Sequence, residues 1–392
     1  MSDVVIAGAA RTPIGGFQGA LSSVAAPALG AHAIKAALVN AEADPSVVGE
    51  VLMGCVLPAG LGQAPARQAA LGAGLDYGVP STTVNKVCGS GMKTAMIAFD
   101  QIQVGSSDIV VAGGMESMSQ SPYLAPKMRV GARLGHAEMK DHMFLDGLED
   151  AYEPGRLMGS FAELCAEHYQ FTRDAQDAYA ISSLTRAMRA EETGAFAQEI
   201  AAFTVQGRKG ANDVMRDEQP SIARPDKIPL LKPAFKKDGT VTPANASSIS
   251  DGAAALVLAR QDAADANGLN ARARILGHAT HAQEPAWFTT APIDATRKLL
   301  EKVGWSVLDV DLWEVNEAFA VVAMAYMRDL GLPKDIVNVN GGACALGHPI
   351  GASGSRIIVT LLNALETLDL KRGVAAICLG GGEATAIAIE RI

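Results

Sequence analysis

The chain has 392 residues, which is too long for one simple hydrophobic core and predicts two or three packed units. Its formal net charge is −9 and it has no long basic run, so the composition argues against a nucleic-acid partner. The five cysteines lack metal-type spacing and indicate reduced thiols, and no apolar stretch approaches the roughly 18 residues that span a bilayer. The chain starts directly on a strand-like run without a signal or transit segment, which predicts a cytoplasmic protein.

Strands and helices alternate over residues 1–120, which predicts an α/β fold. In chain order we expect a strand in VVIAGA, a helix over 26–41, a strand in EVLMGCVL, a helix over 64–74 and a strand in STTVNKV. After Cys88, apolar residues recur at helical spacing until Gly105, and DIVVAGG at 108–114 then forms a buried strand.

Residues 121–247 differ from the flanking segments, because charged residues, methionines and prolines become frequent. One clear helix is predicted over 172–194, capped by Thr172 and ended by Gly194. The rest is expected to form long loops, and loops of this length usually have a function. We therefore predict a large functional insertion in the α/β fold.

The α/β pattern returns from about residue 270 and resembles the first unit. A strand is predicted over 336–340, followed by a glycine-rich turn with His348 and a helix whose apolar residues share one face, namely Ile357, Ile358, Leu361, Leu362 and Leu365. The last strand ends in CLGGGEA at 378–384, much as the first unit ends in AGGMES at 112–117. Two units with this order, each closing on Gly-Gly-x-Glu, predict an internal duplication.

Three side chains in glycine-rich turns are candidates for nucleophilic catalysis. Cys88 precedes a predicted helix, whose N-terminal N–H groups and partial positive charge favour a thiolate and can bind an oxyanion. His348 is a natural base for a thiol, and Cys378 precedes three glycines whose backbone amides are expected to face a ligand. Each residue taken alone has a structural alternative, either a cysteine buried as a small hydrophobe or a histidine satisfied in the core.

Other motifs narrow the choice of chemistry. Asn316 in EVNEAFA is either a strand-end residue or a group that orients a water or an oxyanion. GAARTPIGG does not fit the dinucleotide fingerprint, and the chain has neither a Walker motif nor a serine in a G-x-S-x-G turn. The sequence therefore argues against NAD binding, a P-loop and a serine-hydrolase site.

Four motifs together resemble those of the thiolase family across essentially the whole chain. They are NKVCGSG at 85–91, NEAFA at 316–320, GGACALGHPIGASG at 341–354 and CLGGG at 378–382, supported by ARTPIG, GLGQAPARQ and NASSISDGAAA. The resemblance implies an acyltransferase that makes or breaks the carbon–carbon bond of a 3-ketoacyl-CoA. Coenzyme A and acyl-CoA are then substrates, and neither a metal nor a tightly bound cofactor is expected.

The resemblance also implies a role for each candidate residue. Cys88 is then the nucleophile that becomes acylated, His348 the base that activates it, and Cys378 the acid or base that exchanges the α-proton. His348 and a water held by Asn316 would form an oxyanion hole for the enolate. The N–H groups of Cys88 and Gly380 would form a second one for acyl transfer.

The family fold implies two similar α/β halves, each with a mixed five-stranded sheet, and an inserted loop domain. On this chain residues 1–120 and 248–269 would form the N-terminal half with the nucleophile. Residues 121–247 would form the loop domain that covers CoA, and residues 270–392 the C-terminal half. A homodimer or homotetramer is expected.

The same resemblance predicts the residues that bind acyl-CoA. They are Ser247, Met158, Leu157, Phe235, Ala318 and Phe319, and basic residues of the loop domain are expected at the CoA phosphates, namely Arg208, Lys209, Arg224, Lys227 and Lys232. Leu157 stands where many short-chain members have a histidine facing pantetheine, and Ser221 stands where some have an arginine. Cys344 occupies a place usually held by an aliphatic residue. The first two departures leave the chain-length preference open.

Two alternative functions fit the same architecture. A ketoacyl synthase would pair one cysteine with two histidines, or with a histidine and an asparagine, and would not need the second cysteine of CLGGG. A non-catalytic acyl- or lipid-binding protein would lack one of Cys88, His348 and Cys378, and the chain has all three.

Overall fold

The computed structural model describes residues 3–207 and 210–392. Its strands are β1 (Val4–Arg11), β2 (Gly15–Gly16), β3 (Glu50–Gly54), β4 (Ser81–Val84), β5 (Ile109–Ser117), β6 (Tyr123–Leu124), β7 (Lys140–Asp141), β8 (Phe203–Gly207), β9 (Gly210–Val214), β10 (Ser250–Arg260), β11 (Ala273–Ala282), β12 (Leu312–Val315), β13 (Arg372–Leu379) and β14 (Glu383–Arg391). Its helices are α1 (Ala26–Asn40), α2 (Pro65–Gly72), α3 (Ser90–Gln103), α4 (Met158–Tyr169), α5 (Arg173–Glu192), α6 (Glu218–Ile222), α7 (Gln261–Ala266), α8 (Ala291–Val303), α9 (Ala320–Leu330), α10 (Ala343–Leu346) and α11 (Ser353–Thr367). None of these helices combines the length and the apolarity needed to cross a membrane.

Most elements predicted from the sequence are confirmed apart from a few residues at their ends. β3 and β4 stop earlier than the strand-like runs EVLMGCVL and STTVNKV, at Gly54 and Val84. α5 has the predicted cap, since Thr172 Oγ accepts the N–H of Ala175 at 3.2 Å. The sequence pattern is therefore a good guide to local structure in this chain.

Ten of the described strands form one mixed sheet in the order β12-β13-β14-β11-β1-β10-β5-β3-β4, with β2 paired to β10. The pairing pattern is the same in both halves. In the first half, β10 pairs antiparallel with both β1 and β5, and β5 pairs parallel with β3. In the second half, β14 pairs antiparallel with both β11 and β13, and β13 pairs parallel with β12. β1 and β11 also share a register shift, between Ile6 and Gly8 and between Ile275 and Gly277. The predicted duplication is therefore confirmed, and the two halves join where β1 and β11 pair antiparallel.

The prediction of a strand at 336–340 is wrong. Among the described strands, the second half contributes four strands to the sheet, whereas five were expected. Only Val337 makes a parallel bridge, to Trp313 of β12. Asn338 then has a left-handed backbone (φ 48°), and its side-chain amide bonds both the N–H and the C=O of Val315, at 2.7 and 2.9 Å. A side chain thus takes the place of a fifth strand's backbone.

The two Gly-Gly-x-Glu sequences are not structural equivalents. Glu116 lies inside β5 and is fully buried, where its carboxylate accepts the N–H groups of Val56, Leu57 and Gly351 at 2.9, 3.2 and 2.9 Å. Burial raises the pKa of Glu116 to about 7. Glu383 instead begins β14 after a turn, so this part of the repeat pattern is coincidental.

α3 and α11 cross between the two halves at glycines. A Cβ on Gly91 would lie 2.8 Å from the backbone nitrogen of Ser355, and a Cβ on Gly354 would lie 2.3 Å from that of Met92. The contact is reciprocal, because Gly91 and Met92 hold the same places in α3 as Gly354 and Ser355 hold in α11. The close approach brings together the N-termini of both helices and the turns that precede them.

α11 is buried around its whole circumference, although its apolar pattern predicted one buried face. Several of its buried polar side chains have partners: Arg356 Nη1, for example, donates to Glu314 Oε1 at 2.9 Å. Apolar residues of α3 and α11 pack in one hydrophobic core with strands of both halves. The helix pair is thus a rigid support for the turns at its ends.

Candidate active site

Cys88 lies in the turn between β4 and α3, two residues before the helix begins. Asn85 Oδ1 accepts the N–H of Val87 at 2.9 Å. Ser90 Oγ accepts the N–H of Lys86 at 2.8 Å and donates to the C=O of Val87 at 2.6 Å. These bonds hold Val87 in the left-handed region (φ 46°), which a β-branched residue adopts only under constraint. The motif NKVCGSG therefore fixes the turn that presents Cys88 at a helix N-terminus.

The Cys88 thiol is protonated near pH 7 and is close to backbone N–H donors. Burial raises the pKa of Cys88 to about 11, while the N–H groups of Gly380 and of Cys88 itself hydrogen-bond the sulfur and oppose that rise. These are the two N–H groups that the resemblance assigns to an oxyanion hole. They meet because Gly89 packs against the end of β13, where a Cβ on Gly89 would lie 2.4 Å from Leu379 Cδ2.

Cys378 is the second-last residue of β13 and is buried close to Cys88. Burial first, and the neighbouring Cys88 second, raise the pKa of Cys378 well above its ordinary value. The β13–β14 hairpin holds Cys378 opposite Ala384. Both thiols are therefore protonated near pH 7, and each can donate a proton before it accepts one.

His348 lies in the turn before α11 and is buried, with 6% of its surface exposed. Its Nδ1 lies 2.5 Å from Ser353 Oγ, and its Nε2 lies 3.4 Å from Asn316 Nδ2. Burial, and to a smaller degree the charge of Arg356, lower the pKa of His348 to about 3. The imidazole is therefore neutral at physiological pH and able to act as a base.

Asn316 directly follows β12 and is fully buried, with its N–H bonded to the C=O of Ala376 at 3.0 Å. Its Oδ1 is a buried acceptor without a hydrogen-bond partner among residues 3–207 and 210–392. An acceptor of this kind is suited to hold a water or a donor group of a ligand.

Glu317, the next residue of NEAFA, fastens this segment to the inserted region. Its buried carboxylate accepts hydrogen bonds from Tyr179 Oη at 2.8 Å and Ser183 Oγ at 2.7 Å, both on α5. Asn338 Nδ2 donates to the same carboxylate at 2.8 Å. Gly342 leaves room for this group, since a Cβ there would lie 2.3 Å from Glu317 Cδ. The position of α5 is thus coupled to the segment that carries Asn316.

One cavity of about 350 Å³ brings most of the predicted residues together. It is lined by Cys88, His348, Cys378 and Gly380 and by the expected CoA contacts Leu157, Met158, Phe235, Ser247, Ala318 and Phe319. Asn316 lies behind the lining, against His348. The rest of the wall is mostly apolar and includes Phe144, Leu148, Ile249, Phe288 and Ile350. A mostly apolar cavity with a few polar and reactive groups is typical of a small-molecule site.

The wall that carries Ser247 is built by two paired segments. Ala246 and Phe319 form an antiparallel bridge, and the N–H of Ser247 bonds the C=O of Ala318 at 2.9 Å. Phe235 meets Phe319 edge to face, with ring centroids 6.0 Å apart. The inserted region and the second half thus share one side of the cavity.

Arg224 does not line this cavity. It lies at a neighbouring cavity of about 260 Å³ together with Lys227 and Cys344, and the two cavities share Ser248. The Arg224 side chain is exposed, and its Nε lies 3.3 Å from Asp226 Oδ1. The structure therefore places Arg224 near the site but outside it.

Ser221, Cys344, Lys227 and Lys232 also do not line the main cavity, in contrast to Leu157. Lys232 is exposed and lines neither cavity. Arg208 and Lys209 lie outside the described residues. Burial raises the pKa of Cys344 well above its ordinary value, and its Sγ lies 3.7 Å from the C=O of Glu317, as expected for a packed, unreactive thiol.

Ser353 and one wall of the cavity were not predicted from the sequence. Ser353 lies in the motif GGACALGHPIGASG, five residues after His348. A serine at the start of a helix does not by itself indicate a contact with the His348 imidazole, which the structure shows. The second omission is the π-helical segment Phe144–Leu148 in the inserted region. Its sequence, FLDGL, does not distinguish it from a loop.

Comparison with known families agrees with this geometry. The family models described as "Thiolase, N-terminal domain" and "Thiolase, C-terminal domain" match residues 4–262 and 269–391. The chain belongs to the thiolase family. The predicted family and fold class are thereby confirmed.

Full-length relatives of this thiolase resemble it in sequence and structure. Acetyl-CoA acetyltransferase 2 of Arabidopsis thaliana is 52% identical over 391 residues, which is 99% of this chain and 97% of that protein. The Bacillus anthracis acetyl-CoA acetyltransferase structure has a TM-score of 0.97 and 41% identity, over 100% of this chain and 99% of that one. The Acat5 thiolase from Ascaris suum, in complex with coenzyme A, has a TM-score of 0.93 and 43% identity over 100% of both chains.

The protonated thiol and neutral imidazole of this thiolase predict how Cys88 reacts with an alkylating agent. With the pKa of Cys88 at about 11 and that of His348 at about 3, no stable thiolate–imidazolium pair exists at pH 7. We expect the rate of Cys88 alkylation by iodoacetamide to rise about tenfold per pH unit between about pH 7 and pH 9. Below its pKa, the fraction of Cys88 that is ionised to the thiolate rises by the same factor. Intact-mass kinetics, with Cys88→Ala as the blank, measure this rate. A rate independent of pH down to about pH 5 would contradict the neutral pair.

Proposed function

We propose that this thiolase is an acetyl-CoA C-acyltransferase, which joins two acyl-CoA molecules into a 3-ketoacyl-CoA and CoA or runs the reverse thiolysis. The observation that carries the proposal is the single cavity lined by Cys88, His348 and Cys378. Relatives named acetyl-CoA acetyltransferase and a similar structure in complex with coenzyme A support this substrate class. Coenzyme A enters and leaves as a substrate rather than as a bound cofactor.

In the thiolysis direction, the Cys88 sulfur attacks the 3-keto carbonyl while its proton passes to His348. The carbonyl oxygen becomes an anion and receives hydrogen bonds from the N–H groups of Cys88 and Gly380, which already point at the sulfur. The carbon–carbon bond then breaks, which leaves an acyl group on Cys88 and the enolate of acetyl-CoA.

The enolate oxygen is stabilised by the protonated His348 and by a water held at Asn316. The enolate carbon takes the proton of Cys378, whose raised pKa keeps it protonated for this step. Coenzyme A then attacks the acyl-cysteine; its thiol proton restores Cys378, and the imidazolium proton restores the Cys88 thiol. The same steps in reverse give condensation.

The roles divide along the chain as the resemblance implies. In this proposal residues 1–120 and 248–269 supply the nucleophile, and residues 270–392 supply His348 and Cys378. The placement of β10 between β1 and β5 supports the first assignment. Residues 121–247 cover CoA, with Leu157, Met158 and Phe235 in the cavity wall. Arg224 and Lys227, beside the neighbouring cavity, are proposed phosphate contacts.

The two alternative functions are not favoured. Among the described residues His348 is the one histidine in the cavity lining, and the lining also holds a second cysteine, unlike the expected site of a ketoacyl synthase. A non-catalytic binding protein has no use for three reactive side chains in one cavity. The relatives are likewise named as acetyltransferases.

The resemblance further supports a homodimer or homotetramer, a cytoplasmic location and a role in fatty acid metabolism such as β-oxidation. Light scattering coupled to size-exclusion chromatography tests the oligomeric state. A monomer at micromolar concentration would contradict this part of the proposal.

Cleavage of acetoacetyl-CoA tests the proposed function directly. Protein mixed with acetoacetyl-CoA and CoA should remove the absorbance of the substrate enolate, and chromatography should show two acetyl-CoA formed for each acetoacetyl-CoA lost. The reaction without CoA serves as the control and should stop after one acyl transfer per site. If the absorbance stays constant with CoA present, the proposed activity is wrong.

Leu157 is proposed to set part of the chain-length preference. It precedes α4 and lines the cavity, where leucine offers apolar contact but no hydrogen bond to pantetheine. We expect activity on acetoacetyl-CoA together with appreciable activity on medium-chain 3-ketoacyl-CoA. Leu157→His adds a hydrogen bond of about 0.5–1.5 kcal/mol and should shift the kcat/KM ratio toward the four-carbon substrate, by up to roughly tenfold.

Turnover of a series of 3-ketoacyl-CoA substrates measures this ratio. Leu308→His, at a leucine that is 96% exposed and outside the cavity, is the matched control and should leave the ratio unchanged. An unchanged ratio in Leu157→His would mean that Leu157 does not influence the substrate.

A further inference from the structure

Ser353 makes two hydrogen bonds that together determine where the proton of His348 lies. Its Oγ lies 3.0 Å from the C=O of Pro349 and 2.5 Å from Nδ1 of His348. A carbonyl oxygen can only accept, so the hydroxyl proton of Ser353 points to Pro349. Ser353 Oγ must then accept a hydrogen bond from Nδ1, which requires a proton on that nitrogen.

The opposite side of the ring requires the same tautomer. Nε2 of His348 lies 3.4 Å from Nδ2 of Asn316, an amide nitrogen that can only donate. A proton on Nε2 would place two donors against each other. Both neighbours of the ring therefore favour a protonated Nδ1 and a lone pair on Nε2.

We propose that Ser353 is a positioning residue that holds the proton of the neutral imidazole on Nδ1 and leaves Nε2 as the nitrogen that receives the Cys88 proton. The inference rests on the proposed function, in which His348 is the base. A neutral imidazole has one proton for two nitrogens, and the tautomer with a proton on Nε2 cannot accept another one there. When Nε2 is protonated, the bond from Nδ1 to Ser353 remains and becomes charge-assisted.

Burial keeps the Ser353 hydroxyl in this arrangement. The residue is 1% exposed and is the first residue of α11, whose backbone is fixed by the helix crossing with α3. Ser353 does not line the cavity, so it acts on the substrate only through His348. The neighbouring Ser355 is equally buried, but its hydroxyl donates to the C=O groups of Ala254 and Ala352, at 3.3 and 2.9 Å, and does not meet the ring.

The tautomer is measurable without reference to activity. In wild-type protein labelled with 15N-histidine, the imidazole resonances that disappear in His348→Asn should show a protonated Nδ1 and an unprotonated Nε2 near neutral pH. Ser353→Ala should give a mixture of tautomers, while Ser353→Thr, which keeps the hydroxyl, should retain the wild-type pattern. A wild-type His348 protonated on Nε2 would overturn the inference.

Kinetics test the consequence for the reaction. Ser353→Ala should lower kcat by about 10–100-fold and leave KM for acyl-CoA within about twofold, because the residue orients a catalytic group without touching substrate. Ser353→Thr should recover most of kcat. Ser355→Ala, the matched control, should keep kcat within about twofold, since its hydroxyl does not meet the ring.

The outcomes separate the inference from the proposed function. Wild-type kcat in Ser353→Ala, or equal losses in Ser353→Ala and Ser355→Ala, would overturn the positioning role. A wild-type protein with a protonated Nδ1 but no cleavage of acetoacetyl-CoA would instead contradict the proposed function and leave the tautomer assignment standing.

Discussion

Cys88→Ala should abolish turnover, with kcat reduced by about 10⁶-fold, as is typical when a catalytic nucleophile is removed. Among the described residues, Cys378 is the other thiol of the cavity lining, and it has a strongly raised pKa and lacks the two N–H donors that point at the Cys88 sulfur. Incubation with acetyl-CoA followed by intact-mass measurement should show an acetyl adduct on the wild type and none on the variant.

Cys165→Ala is the matched control for this experiment. Cys165 is a buried cysteine of α4 that does not line the cavity, so its removal should leave both the acetyl adduct and turnover in place. An adduct on Cys88→Ala would assign the nucleophile to another residue, and peptide mapping would locate it.

Cys378→Ala should separate the two half-reactions of the enzyme. Acyl transfer from acetyl-CoA to Cys88 needs a base and an oxyanion hole but no second thiol, so the acetyl adduct should still form. Thiolysis and condensation both move a proton at the α-carbon and should fall by about 10²–10⁴-fold, as expected when an acid or base is removed.

Adduct formation and acetoacetyl-CoA thiolysis are best measured on the same preparation of Cys378→Ala. Cys165→Ala again serves as the control, because it removes a buried thiol without touching the cavity. Thiolysis near the wild-type rate would make Cys378 a structural residue, and loss of the adduct would mean that its side chain supports the Cys88 turn.

The sequence predicts the local placement of Cys88 well, because that placement is encoded in a short turn. The position of Cys88 before α3 follows from the glycine-rich turn and the apolar spacing after it, and both signals are local. The cavity gathers Cys88, His348 and Cys378 from segments far apart in sequence, and their meeting was implied by the family resemblance rather than by spacing.

The sequence failed where one side chain replaces a regular element or where a contact depends on packing. The run at 336–340 has the β-branched pattern of a strand, but Asn338 bonds the backbone of Val315 with its side chain and ends the ladder. In the sequence, Ser353 has the pattern of an ordinary first residue of a helix. Only the turn of the chain after His348 brings the Ser353 hydroxyl to Nδ1 of His348. The positive charge of Arg224 makes it a candidate phosphate contact, but sequence alone does not show which basic residues face a cavity.

The reciprocal crossing of α3 and α11 sets equivalent positions of the two halves against each other. Cys88 and Gly351 both stand two residues before their helix, and Cys378 and Glu116 are both second-last in their strand. In the second half a glycine thus stands at the position that Cys88 holds in the first. Glu116 reaches across to bond the N–H of Gly351 at 2.9 Å. The carboxylate, at the position equivalent to that of Cys378, thus ties the two halves together.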